Sequence, residues 1–102
     1  MPNTWGGRST FAYQGSVNTG TDIIYGNGRR IQVSAAQYAA LRANFKGRIV
    51  PVGASRTDAQ ASSLGAWLQA QGIQTAIASY VASILLLEGC AQRTPGNEVK
   101  IM

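Results

Sequence analysis

The sequence predicts an α+β fold, and three observations carry that expectation. Short β-like runs between turn residues fill positions 10–33, three segments with helical apolar spacing follow between 34 and 88, and two alternating runs around a Thr-Pro-Gly-Asn turn close the chain. A length of 102 residues suits a single domain, read as a flexible arm at 1–9, a β-meander at 10–33 and a helical core with a hairpin at 34–102. The arm, rich in polar residues and glycine, has neither a helical nor a strand period, and Trp5 is its candidate anchor.

The meander is read from turn chemistry. Phe11 and Tyr13 alternate with small or polar residues, Asn18, Thr19, Gly20 and Thr21 form a turn, and Asp22, Ile23, Ile24 and Tyr25 make the next run. Gly26, Asn27 and Gly28 tolerate positive φ and fit a tight connection into a returning strand of Arg29, Arg30, Ile31, Gln32 and Val33. The economical arrangement is antiparallel.

Ser34 and Gln37 stand three apart, as a capping box requires, at the head of an Ala-rich helix with Tyr38, Leu41 and Phe45 on one stripe. Gly47 ends it. A short strand from 48 to 52 contains Pro51, which suits an edge because proline has no amide to donate. After a polar loop, Ser62 or Ser63 caps a second helix with Leu64, Trp67 and Leu68 on its apolar face, and Gly72 stops it. A third helix starts at Gln74 or Thr75 and runs to about Glu88, with Ile77, Val81, Ile84 and Leu85 facing inward and Gly89 as its stop. The runs 90–93 and 98–102 then form a hairpin.

Composition excludes much of enzymology. There is no His, Cys90 is the one cysteine, and the four carboxylates Asp22, Asp58, Glu88 and Glu98 are scattered. A zinc site and His-based triads or Cys-His pairs therefore have no ligands or bases to draw on, and no cofactor is expected. Glu98, Val99 and Lys100 match the carboxylate-lysine half of a metal-dependent nuclease motif, but no Asp precedes them on a neighbouring strand, so the chain is read as non-enzymatic. A single thiol cannot form an internal disulfide, which fits a reducing cytoplasm. No apolar run reaches the roughly 18–20 residues of a membrane span, and the amino end has no segment of signal-peptide type.

Seven Arg and two Lys give a net charge of +5, which points to polyanions and, in a cytoplasm, to nucleic acid. From Ser34 onward the order is helix, strand, helix, tight turn, helix, strand, turn, strand. With the glycine-marked turn at 68–75 (Leu, Gln, Ala, Gln, Gly, Ile, Gln, Thr), it resembles the winged helix-turn-helix family over residues 34–102. The resemblance implies that the third helix enters the major groove of duplex DNA and reads bases with Gln74, Thr75, Ser79 and Tyr80. It also implies that the hairpin, as the wing, offers Arg93, Asn97 and Lys100 to the backbone or minor groove. Arg56, Lys46 and Arg48 are positioning charges, and Arg29 and Arg30 on the meander turn are suited to phosphate.

The expected function is that of a small cytoplasmic DNA-binding regulator or accessory factor. Other readings stand beside it. The third helix carries no Arg or Lys and its second half is apolar on nearly every side, so it suits burial under the meander or against a second copy in a homodimer. The same fold then serves as a protein-interaction module. Gln74, Thr75 and Ser79 also read as a helix cap and a solvated face, and Phe45 and Trp67 as core. A weaker alternative is single-strand binding by the N-terminal sheet, with Tyr13, Tyr25 and Trp5 stacking on bases.

Overall fold

A computed structural model describes residues 10–26, 28–52, 63–73, 77–94 and 98–102. Its elements run β1 (Ala12–Ser16), β2 (Gly20–Tyr25), β3 (Arg29–Val33), α1 (Ala35–Phe45), β4 (Ile49–Pro51), α2 (Leu64–Ala70), α3 (Ala78–Leu87), β5 (Ala91–Thr94) and β6 (Glu98–Ile101). The strands form two separate antiparallel sheets, β1-β2-β3 and β4-β6-β5. The fold is therefore α+β with an N-terminal meander. That meander does not pair with the C-terminal hairpin. The hairpin instead takes β4 onto β6, which leaves Pro51 on an edge strand, where its missing amide costs no ladder bond.

Local chemistry sets the helix boundaries. Ser34 Oγ accepts from the Gln37 amide at 3.1 Å while the Ser34 amide donates to Gln37 Oε1 at 2.9 Å, closing the predicted capping box. Of the two serines that could cap α2, Ser63 does so, accepting from the Ala66 amide at 3.0 Å. The ends of α2 and α3 share one device. Gly72 and Gly89 take positive φ, their amides reach Gln69 and Leu86, and the amides of Ile73 and Cys90 reach back to Leu68 and Leu85 at 2.9 and 2.8 Å. Each pair satisfies carbonyls that the helix end would otherwise orphan. In the structure α3 begins at Ala78 without a side-chain cap; the expected start at Gln74 or Thr75 lies outside the described residues.

One apolar core joins both sheets and all three helices. The α1 stripe of Tyr38, Leu41 and Phe45 is buried, as are Leu64 and Leu68 of α2. Phe45 is core, with Trp67 half-buried against it edge to face at 6.5 Å. Within α3, Ala78, Val81, Ala82, Ser83, Ile84 and Leu85 are all buried, as a helix apolar on most sides must be. Among the described residues no helix is long and apolar enough to cross a membrane.

Candidate nucleic-acid interface

The inner face of the meander meets α3 at its two ends, and meets α1 through Thr21 and Tyr38. Near the start of α3, the Tyr80 ring packs 5.1 Å from Phe11, edge to face, and 5.1 Å from Tyr25 at a 36° tilt. At its far end, Glu88 Oε2 accepts from the Tyr13 hydroxyl at 3.2 Å and Glu88 Oε1 from the Val17 amide at 2.9 Å. Burial raises the Tyr13 pKa above its ordinary value, and the charge and hydrogen bond of Glu88 push it the same way. The cover over α3 thus includes the meander of the same chain, alongside α2 and β5.

This packing decides what α3 presents. Among its described residues Leu87 alone is exposed, at 59%; Ser79, Tyr80 and Leu86 are half-buried and the rest are buried. Ser79 lends its carbonyl to the Ser83 hydroxyl at 3.0 Å, and Tyr80 is held in the aromatic cluster. Gln74 and Thr75 lie outside the described residues.

Tyr25 connects two parts of the chain that the sequence had left separate. It is the cross-strand partner of Arg29, so the two share the face against which Tyr80 packs, while Arg30, opposite Ile24, points to the other face. Both arginines are exposed and open β3. Arg29 and Tyr80 are accordingly brought near each other through Tyr25, while Arg30 projects from the opposite face of the sheet. Tyr13 and Tyr25, offered as stacking platforms on an open sheet face, stand instead on the inner face, packed on Phe11 and Tyr80; Trp5 lies outside the described residues.

The remaining charges belong to the other sheet. Lys46 and Arg48 are exposed on either side of Gly47, whose amide bonds the Ile101 carbonyl at 2.7 Å, and this places them next to the strand that carries half-buried Lys100. Arg93 is exposed on β5 opposite Val99. Arg56 and Asn97 lie outside the described residues. Among the described basic residues, Arg29 and Arg30 open β3, Lys46, Arg48, Arg93 and Lys100 belong to the β4-β6-β5 sheet and its flank, and Arg42 stands on α1. Among the described residues no three of His, Cys, Asp and Glu gather as metal ligands.

Glu88 is the residue that sequence reasoning passed over, and Tyr25, read as a stacking platform, packs on Tyr80. For Glu88 a signal existed: a carboxylate at the C-terminal end of a helix opposes the macrodipole and calls for a tertiary partner to hold it there. Comparison with family models, with curated proteins and with solved structures finds no match to this chain.

Proposed function

We propose that the chain is a winged helix-turn-helix module, without enzymatic activity, that binds duplex DNA as a small regulator or accessory factor. The observation that supports this most directly is the Tyr25 link, which sets Arg29 on the face of the meander that meets the leading half of α3, with Arg30 next to it on the opposite face. Two exposed guanidinium groups at that position suit phosphates on either side of a groove, because arginine offers planar, bidentate donors to phosphate oxygens. Helix order and the C-terminal hairpin agree with the family's order of elements, with β5 and β6 as the wing.

In this mechanism arginines capture the backbone first, with release of counterions. Gln74 and Thr75, which precede the described part of α3, are the residues assigned to base edges. The described part of α3 acts as the rigid core member that supports them, and Tyr80 holds that end against the meander. Arg93 and Lys100 are secondary contacts in this scheme. The test is fluorescence anisotropy with a mixed-sequence duplex across a salt series. Affinity should fall steeply with salt, and a paired R29E and R30E variant should bind at least about tenfold more weakly, with a salt slope smaller by about two. No binding at low salt, or equal binding by the variant, overturns the proposal.

A second reading, a protein-interaction module on the same fold, is favoured by a separate observation. Ile49, Leu87 and Met102 remain 55%, 59% and 44% exposed, and Ile49 lies on β4 while Met102 directly follows β6, in the sheet separate from the one that carries Arg29 and Arg30. A duplex-binding signal that is absent while self-association persists would select it.

A further inference from the structure

The β4-β6-β5 sheet turns one face largely to the core and the other outward, with Arg93 exposed at the β5 edge. Ala91, Val99, Ile101 and Val50 are buried on the inner face, so alternation puts Ile49 and Pro51, Lys100 and Glu98, and Gln92 and Thr94 on the outer one. Register orders those six residues into two cross-strand rows, Ile49–Lys100–Gln92 and Pro51–Glu98–Thr94. Read along each strand, the pattern is different: β4 offers two apolar residues, β6 one cation and one anion, and β5 two neutral polar residues.

That pattern is complementary to itself. A two-fold axis lying between two such sheets, across the strands at the level of Val99, lays each strand antiparallel over its own copy. Ile49 then faces the second copy's Pro51 and Lys100 faces its Glu98, so apolar meets apolar and cation meets anion, while Gln92 lies over Thr94, whose hydroxyl is buried. Both ionic pairs form at once because the interface is isologous. Lysine and glutamate side chains together bridge the roughly 10 Å that separates packed sheets. With the axis along the strands instead, Lys100 would meet Lys100 and the match would be lost. Met102, whose amide bonds the Cys90 carbonyl at 3.0 Å, extends the exposed face beyond Lys100.

We propose that this outer face is a two-fold contact between two copies of the chain, specified by the Lys100 and Glu98 cross-pair. The inference does not rest on DNA binding, since Arg29 and Arg30 belong to the other sheet. A face of three short strands is well below the size of permanent interfaces, so dissociation on the order of 0.1 mM is expected.

Sedimentation equilibrium on the full chain, at concentrations up to about 1 mM and at low and high salt, reads it out. The wild type should dimerise reversibly, and more weakly at high salt. K100E alone and E98K alone should each lose at least about tenfold in association, because each sets like charges face to face. An equimolar mixture of these two variants should recover it as a heterodimer, and so should the combined K100E and E98K chain. A wild type that stays monomeric at the highest concentration overturns the proposal. So does a mixture that associates no better than its components. Thermal melts establish that each variant folds. Should a charge variant not fold, Ile49→Ser decides, because this exposed position leaves the core intact: weakened association supports the contact, and unchanged association overturns it. R29E with R30E should leave dimerisation untouched, which separates a failure here from a failure of the DNA proposal.

Discussion

Glu88 and Tyr13 are 75 positions apart in sequence and joined by a hydrogen bond of 3.2 Å, with the Val17 amide held by the other oxygen of the same carboxylate. One side chain therefore fastens β1 and the β1–β2 turn to the end of α3. Glu88→Ala removes both acceptor sites and should destabilise the fold by about 1–3 kcal/mol in urea unfolding; Glu88→Gln, which keeps one oxygen, should cost about half as much. In both variants the Tyr13 phenol should titrate closer to its ordinary pKa, followed by tyrosinate absorbance, because part of its upward shift comes from Glu88.

Tyr38 and Thr21 share a hydroxyl–hydroxyl bond of 2.7 Å in the core, with Tyr38 fully buried. Burial is the main reason the phenol is pushed up to about 12, against the smaller opposite pull of the Thr21 bond. Below about pH 10 both folded and unfolded chains hold this proton and its contribution is complete. Between pH 10 and 12 the unfolded chain ionises while the folded one does not, so stability should fall across that window by up to about 2–3 kcal/mol. Tyr38→Phe should cost about 1–3 kcal/mol at neutral pH, by stranding the Thr21 hydroxyl, and should make the alkaline decline shallower. Unfolding curves from pH 8 to 12 for both proteins measure it.

Gly15 and Gly47 both have positive φ, at 91° and 76°, yet they should respond differently to alanine. A methyl at Gly15 would overlap the carbonyl oxygen of Gly20 on the neighbouring strand, whereas one at Gly47 would meet open space. Gly47→Ala should cost about 1–2 kcal/mol from backbone conformation alone, and Gly15→Ala clearly more, with the β1–β2 register disturbed. Thermal unfolding gives the difference, and amide exchange at β1 locates it.

Ser34 and Gln37 form the exposed capping box of α1. Ser34→Ala should destabilise by about 0.5–2 kcal/mol without altering the core, and Ser34→Asp should restore most of the loss, since a carboxylate also accepts from the first-turn amides. Helicity near 222 nm and urea midpoints distinguish the two.

What was legible in the sequence was local. The Ser34 box, the stops at Gly47, Gly72 and Gly89 and the stripe of Tyr38, Leu41 and Phe45 each lie within one or two helical turns, and the structure reproduces them. β3 runs over the five residues expected of it, Arg29–Val33. The apolar second half of α3 signalled burial but not what buries it, because a helix surface records that it is covered and not by which distant segment. For the same reason the Tyr25 and Tyr80 contact left no pattern: its two rings stand on elements separated by β3, α1, β4 and α2. The charges were visible as composition, and their division between two sheets became visible only with the register.

The meander is built to lie on α3, yet it is made first and its helix nearly last, with Glu88 following Tyr13 by 75 positions. During synthesis α1 can close on β2 soon after the meander emerges, but Phe11 and Tyr13 lack Tyr80 and Glu88 until α3 follows. Such long-range closure is slow, and an exposed strand-rich intermediate is prone to clumping. Yield of this protein in a cell should therefore depend on chaperone capacity more strongly than its small size suggests.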